Sequence, residues 1–262
     1  GVSFFPDRYL LALSPTTQGG TLPNKGHLWP NNLMESSIPS QYLLILIALA
    51  GEQGYSMASL CEGTALSLDK LSSPGSRVEE NEADRIIANA LIATGDPSLG
   101  LAVGQQLNLG AHAVIGQTFM ACADLAEALE TLVRYGPLLT GSTAQLSRYE
   151  DPGHDRAGLM LSLDSPSLST RYSHEVFFSA AQKTISDLLQ MPITDLEIHL
   201  PYPSPADITP FIRIFGDKVQ FNADSAILSL PGSLMRHPLP TSNPTLRALY
   251  DAECARLLAD LS

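Results

Sequence analysis

The chain has 262 residues, of which 44% are hydrophobic, so it can bury a substantial core in one large domain or two small ones. Its net charge of −12 argues against direct binding of nucleic acid, which requires clustered lysine and arginine. Three widely spaced cysteines and the lack of a long apolar run favour a cytoplasmic protein with reduced thiols and no membrane-spanning helix.

The first half of the chain reads as an arm followed by helices. Residues 1–39 are rich in Pro, Gly, Asn and Thr, which is typical of an extended or flexible segment. From residue 40 onward, apolar residues recur at helical spacing between turn-forming residues. The predicted helices cover 40–54, 56–62, 68–71, 79–93, 98–107, 114–121 and 125–135, with Asp124 as the cap of the last.

The second half of the chain contains the strands. Apolar runs over 142–149 and 157–163 flank a Pro-Gly turn at 151–155, which predicts a hairpin. A long helix over 169–189, a strand over 196–200, a short helix over 207–215 and two short strands around 222–225 follow. Residues 241–262 form a last helix, capped by Ser242 or Asn243 with Pro244 in its first turn. The fold class is α+β, mostly helical with a small antiparallel sheet, as a single domain over 40–240 that ends in a linker helix.

Three blocks of turn and packing residues stand out between residues 39 and 262. They are 95–101 leading to Gly116, 124–129 with Arg134 and Tyr135, and 221–230 with 238–244. Together these blocks resemble the N-terminal ligand-sensing region of AraC/XylS-type transcription regulators, in the subgroup labelled arabinose-binding. The blocks determine packing and turns, so the resemblance is informative about the fold and silent on the ligand.

The resemblance implies the effector-binding and dimerisation domain of a transcription activator that is not an enzyme and needs no cofactor. Members of the family respond to varied small molecules, some of them apolar or fatty-acid-like. A helix-turn-helix domain is expected to follow the final helix, and any contact with DNA would be made by that absent domain. The candidates for linker and homodimer contacts are Leu246, Leu249, Tyr250, Leu257 and Leu261.

Polar and aromatic residues at the start of the helix over 169–189 are the best candidates for ligand contacts. Groups that could hold a carboxylate lie there beside aromatic rings that could line an apolar pocket. The candidates are Arg134, Tyr135, Arg171, Tyr172, His174, Phe178 and Lys183. Structural alternatives remain open, since Arg171 and Glu175 have the spacing of an exposed helix pair and Tyr172 and Phe178 could belong to the core. Arg134 could equally bond to the last carbonyls of its own helix.

Two other functions remain open, namely a free-standing carrier or enzyme and an interaction module without a pocket. The enzyme would need convergent acid, base or nucleophilic groups, and none are evident in the sequence. The six histidines lack the spacing of metal ligands, so no metal site is predicted. Gly100 and Gly104 are interpreted as close helix packing, and the three cysteines as small buried hydrophobic residues.

Overall fold

The computed structural model describes residues 36–141, 144–163 and 168–261. The predicted arm therefore lies outside the described residues except for 36–39. Of these, Ser37–Pro39 forms strand β1, which pairs antiparallel with β2, Arg77–Glu79. Five helices belong to this first part of the fold: α1 Ser40–Glu52, α2 Met57–Leu60, α3 Leu68–Ser72, α4 Glu80–Thr94 and α5 Leu99–Gln106.

The ends of these helices follow from local chemistry. Gly95 ends α4 because it adopts a left-handed conformation, with φ of 59°, that residues with a side chain rarely adopt. Although serine is a common helix cap, Ser40 does not cap α1. Pro39 occupies the N-cap position of α1, and the Ser40 hydroxyl instead donates a hydrogen bond to the carbonyl oxygen of Leu71 at 2.7 Å. Ser40 thereby joins α1 to α3.

The second part of the chain contains the sheet and the longest helix. Its elements are α6 Ala113–Ala121, α7 Leu125–Tyr135, α8 Pro137–Thr140, β3 Ala144–Asp151, β4 Arg156–Leu163, α9 Leu168–Leu189, β5 Glu197–His199, α10 Thr209–Phe215, β6 Val219–Gln220, β7 Ala226–Pro231, α11 Gly232–Met235 and α12 Pro244–Asp260. The Asp124 carboxylate caps α7 by accepting a hydrogen bond from the Glu127 amide at 2.9 Å. Asn243 caps α12 in the same way, at 3.1 Å from the Leu246 amide.

The five-stranded sheet has the order β3-β4-β7-β5-β6. Strands β3 and β4 form the predicted hairpin, and all neighbouring pairs are antiparallel except β5 and β6, which run parallel. The two short strands around 222–225 are β6 and β7, and they do not pair with each other because β5 lies between them. The α+β class, mostly helical with a small and largely antiparallel sheet, is confirmed.

Two hydrophobic clusters fill the interior, and α9 contributes to both. One cluster joins α6, α7 and α9 to the sheet, and the other joins α1 to α5 with Tyr172 of α9. Helix α9 approaches α5 closely because α5 has glycines at the crossing. A Cβ on Gly104 would lie 2.6 Å from the Val176 carbonyl oxygen, and one on Gly100 would lie 2.9 Å from that of Tyr172. The close packing predicted for these glycines is confirmed.

Two further properties predicted from the sequence concern the cysteines and the apolar content of the helices. Cys61, Cys122 and Cys254 are all buried and unpaired with one another, as predicted. Within the described ranges, none of the helices combines the length and the apolar character needed to cross a bilayer.

Candidate functional site

An apolar cavity of about 200 Å³ lies between the two hydrophobic clusters. Its walls come from β1, α1, α4 and α5 on one side, and from α6, α7, α8, β3 and β4 on the other. Helix α9 runs along it. The residues that form the largest share of the wall are aliphatic, such as Leu43, Val103, Leu129, Leu159 and Leu161. A concave, mostly apolar space with a few polar groups is the usual form of a small-molecule site.

Helix α9 forms the longest continuous part of the wall. Its lining residues recur at intervals of one and three, so they share one face of the helix. They are Tyr172, Ser173, Val176, Phe177, Ala180, Ala181, Thr184, Ile185 and Leu188. Small side chains at Ala180 and Ala181 leave space beside the helix that larger residues would fill.

A hydrogen-bonded pair, Tyr42 and His112, supplies the main polar feature of the wall. The Tyr42 hydroxyl lies 3.0 Å from Nδ1 of His112, and the two rings meet edge to face. Burial lowers the pKa of His112 to about 4, so its imidazole is neutral at physiological pH. Burial also raises the pKa of Tyr42 and of Tyr172, which keeps both phenols protonated.

Several polar atoms of the wall have no protein partner. Nε2 of His112 forms no hydrogen bond with any described residue, and the same is true of the hydroxyls of Tyr172 and Thr184. All three side chains are at least nine-tenths buried. Among the described side chains, only Nε of Arg247 is both fully shielded and without a partner, so these three atoms keep some accessible surface. They are the places where a bound molecule would be recognised.

No charged side chain is among the described residues that line the cavity. The Arg77 guanidinium interacts electrostatically with Tyr42. Arg77 donates hydrogen bonds to Ser37 and to the Leu138 carbonyl oxygen, and it is not part of the wall. The described residues also contain no group of three His, Cys, Asp or Glu side chains placed to hold a metal ion.

Of the residues predicted to bind ligand, Tyr172 lines the cavity. Arg171 and Glu175 form the helix pair given as the alternative, with Nε 2.6 Å from Oε1, although Glu175 is buried rather than exposed. His174 is buried on another face of α9, where its Nδ1 lies 2.9 Å from the Thr170 carbonyl oxygen. Burial lowers the pKa of His174.

The other candidates lie away from the cavity wall. Phe178 is fully buried in the core, and Lys183 forms an ion pair with Asp187 one turn further along α9. Arg134 is largely exposed and lies 3.6 Å from Asp251 of α12. Tyr135 is buried beside it. The predicted residues are therefore distributed among the cavity, the core and the contact with α12.

Helix α12 packs mainly on α6 and also makes polar contacts with α7. The Tyr135 hydroxyl donates to Oδ1 of Asp251 at 2.8 Å, and burial together with this bond raises the pKa of Tyr135 to about 12. The Arg247 guanidinium bonds to the Thr131 hydroxyl at 3.0 Å and to Asp251 at 2.9 Å. Its Nε lies 3.2 Å from Oε1 of Glu127, without the alignment of a hydrogen bond.

The apolar residues of α12 divide into two groups. Cys254 is fully buried, with Sγ 3.3 Å from the Thr118 hydroxyl of α6. The partly buried Leu257 and Leu261 pack against the core cluster that includes the sheet. The residues on the outer part of the helix are Leu246 at 39% exposure, Leu249 at 63% and the half-buried Tyr250.

Sequence reasoning did not select Tyr42 or His112. The two residues are 70 positions apart, and each stands alone in an apolar stretch. A tyrosine inside the run 42–50 was a weak signal, because such a residue is more often part of the core than of a site. Their pairing depends on the packing of α1 against the turn before α6, which no local pattern encodes.

Comparison with known proteins agrees with this architecture. A family model described as the N-terminal arabinose-binding domain of AraC transcription regulators matches residues 54–239, which is more than half of the chain. The ornithine utilization regulator of Pseudomonas aeruginosa is 26% identical over 232 residues, covering 88% of this chain and 68% of that protein.

A solved structure shares the fold. The crystal structure of the transcriptional regulator CdpR from Pseudomonas aeruginosa superposes with a TM-score of 0.56 at 19% identity, covering 82% of this chain and 64% of CdpR. The chain thus spans about two thirds of the length of each relative. The family match confirms the resemblance of the sequence blocks, and the chain belongs to the AraC family of transcription regulators through its N-terminal arabinose-binding-type domain.

Proposed function

We propose that this domain binds a small, predominantly apolar effector in the cavity between the two clusters. The observation that supports the proposal most directly is the apolar wall, with unpartnered polar atoms at His112, Tyr172 and Thr184. A cavity of about 150 Å³ can hold a benzene molecule, so one of about 200 Å³ suits a ligand of roughly ten non-hydrogen atoms. The described residues of the lining include no acid and base pair for catalysis, and we favour a sensor over an enzyme.

The effector would act through α7, which lines the cavity and also contacts α12. Leu125 and Leu132 face the cavity, whereas Glu127 and Thr131 contact Arg247 of α12 from the other side of the same helix. Suppose that α7 and α12 shift together between two positions. A ligand that packs better against α7 in one of them then also favours the corresponding position of α12. The size of that shift is limited by the difference in ligand affinity between the two arrangements.

Helix α12 would transmit this change to the DNA-binding part of the regulator. In our proposal the protein acts in the cytoplasm, where a transcription regulator meets its DNA, and a separate helix-turn-helix module contacts the DNA. The net charge of −12 supports this division, because an acidic domain is repelled by phosphates.

We also propose that a second copy of the chain covers Leu246 and Leu249, whose exposure on α12 supports the proposal. Replacing Leu249 by Asp should shift the protein towards monomer in light scattering. The matched control is Ala259→Asp, which places the same charge at an exposed position of the same helix. Equal masses for wild type and both variants at all concentrations would rule out this interface.

The cavity can be tested by filling it. Ala181→Leu adds three carbons to the cavity wall, and it should abolish the thermal stabilisation that hydrocarbon probes such as xenon, toluene and propylbenzene give the wild-type domain. The matched control is Ala102→Leu, the same change at an exposed position of α5 next to the lining residue Val103. The control should respond like the wild type.

Two results would contradict the proposal. If no hydrocarbon raises the melting temperature of the wild type, the cavity does not bind apolar molecules. If Ala181→Leu responds as strongly as the wild type while remaining folded by circular dichroism, the molecules bind elsewhere.

A further inference from the structure

The Tyr42–His112 pair gives the cavity a hydrogen-bond donor of fixed position. A phenol hydroxyl is a stronger donor than an imidazole N–H, and an imidazole nitrogen is a better acceptor than a phenol oxygen. The 3.0 Å contact is therefore best made with the Tyr42 hydroxyl donating to Nδ1. In the neutral imidazole the proton then resides on Nε2, which becomes a donor without a described protein partner.

The surroundings of this donor select against charge on the ligand. His112 is 8% exposed, and no Lys, Arg, Asp or Glu is among the described residues of the wall. A carboxylate or an ammonium group placed there would lose its hydration without gaining an opposite charge, which is strongly unfavourable. The Arg77 guanidinium lies outside the wall and is already bonded to neutral oxygens.

We infer that the effector is an uncharged apolar molecule with one oxygen acceptor, such as a carbonyl or hydroxyl oxygen, held by the Nε2–H of His112. The inference rests on the proposed function, because it specifies the ligand of the same cavity. Tyr42 is a positioning residue in this arrangement, since it acts on the ligand only by fixing the imidazole tautomer.

The donor, rather than the apolar wall, distinguishes oxygen-containing ligands from hydrocarbons. A hydrocarbon that fills the cavity displaces water from the Nε2–H without replacing its hydrogen bond, whereas an oxygen acceptor of similar size replaces it. Because losing that hydrogen bond weakens binding, the oxygen-containing ligand should bind roughly tenfold more tightly than its hydrocarbon counterpart.

Two matched series of probes test the ligand class by calorimetry. The aliphatic series is nonane, 2-nonanone and nonanoate, and the aromatic series is propylbenzene, propiophenone and 3-phenylpropanoate. In the series that fits the cavity, the ketone should bind roughly tenfold more tightly than the hydrocarbon, and the carboxylate more weakly than either. Two series are used so that the result does not depend on the shape of one hydrocarbon group.

Variants locate the preference at His112. His112→Phe should reduce the ketone affinity to that of the hydrocarbon measured in the same variant. Tyr42→Phe, which removes one hydroxyl, should lose part of the ketone preference and provides a second reading if His112→Phe fails to fold. Thr184→Val removes a different hydroxyl of the wall and should reduce the ketone preference by less than His112→Phe does.

The outcomes separate this inference from the proposed function. If no probe of either kind binds to the wild type, both fail. If hydrocarbons bind and ketones bind no better, or if the carboxylates bind most tightly, the cavity is a ligand site but the inference is wrong. A ketone preference that survives both His112→Phe and Tyr42→Phe, and is lost in Thr184→Val, would also overturn it.

Discussion

Glu175 shows how a single buried side chain couples stability to pH. Its carboxylate is 2% exposed and accepts hydrogen bonds from Nε of Arg171 at 2.6 Å and from the Tyr202 hydroxyl at 3.3 Å. Burial raises the pKa of Glu175 to about 7, and the nearby Arg171 offsets only part of that effect. The folded state therefore keeps a proton on Glu175 at pH values where the unfolded chain has released it.

The expected consequence is a loss of stability as pH rises. Between about 4.5 and about 7 the folded protein binds more protons at Glu175 than the unfolded chain does, so the free energy of unfolding falls through this window. Relative to Glu175→Gln, the wild type should lose on the order of 2 kcal/mol, measured by urea unfolding at several pH values. Glutamine keeps the volume and an acceptor oxygen, and unfolding curves that stay parallel across this range would disprove the prediction.

Helix-to-helix contacts depend on glycine at the crossing of α5 and α9. Gly104→Ala places a Cβ 2.6 Å from both the Val176 carbonyl oxygen and Cβ of Ser179, which forces the helices apart. We expect a loss of about 1–3 kcal/mol in chemical unfolding. The matched control is Gly51→Ala in α1, where an added Cβ meets nothing within 4 Å and should stabilise the helix by about 0.5–1 kcal/mol. Equal effects of the two changes would refute the steric explanation.

The position of α12 should depend on Tyr135. Tyr135→Phe removes the hydrogen bond to Asp251, and the amides of α12 should exchange hydrogen faster by an amount equivalent to about 1–2 kcal/mol. The comparison variant is Tyr250→Phe, which deletes a hydroxyl of α12 itself that has no partner among the described residues. If both variants exchange alike, the contact between α7 and α12 does not fix the helix.

Local patterns predicted most elements, because capping and turn formation are decided within a few residues. Asp124 was recognised as a cap, and Asn243 was one of the two caps proposed for the last helix. The Pro-Gly turn at 151–155 identified the β3–β4 hairpin. The order of the strands in the sheet was harder to predict, because β5 lies between β6 and β7 through pairing of residues far apart in the sequence. The same limit explains why sequence reasoning selected α9 and Tyr172 but could not place His112 beside Tyr42.

At the level of the whole molecule, the cavity lies between two clusters that are also joined by α5 and α9. Such a space is supported from both sides, so a ligand that fills it adds packing contacts between the two parts of the domain. Binding should therefore stabilise elements far from the ligand as well as those that touch it.

Hydrogen exchange with and without a bound hydrocarbon would measure this effect. At a free ligand concentration of a hundred times the dissociation constant, binding can add up to about 2.7 kcal/mol of protection. We expect slower exchange in α7 and, in parallel, in α12, which does not touch the cavity. Protection confined to α7, with α12 unchanged, would show that the cavity and the final helix are independent.

The two faces of α7 have a consequence for how such a sensor can change over evolutionary time. The eleven-residue helix α7 both lines the ligand cavity and contacts α12. A substitution in α7 that changes which ligand binds therefore also changes how α12 responds to the ligand. Among the described residues, those of β4 and α9 that line the cavity form no hydrogen bond or ion pair with α12. Substitutions that change ligand specificity, whether natural or engineered, should therefore accumulate in β4 and α9. The part of the wall formed by α7 should change more slowly.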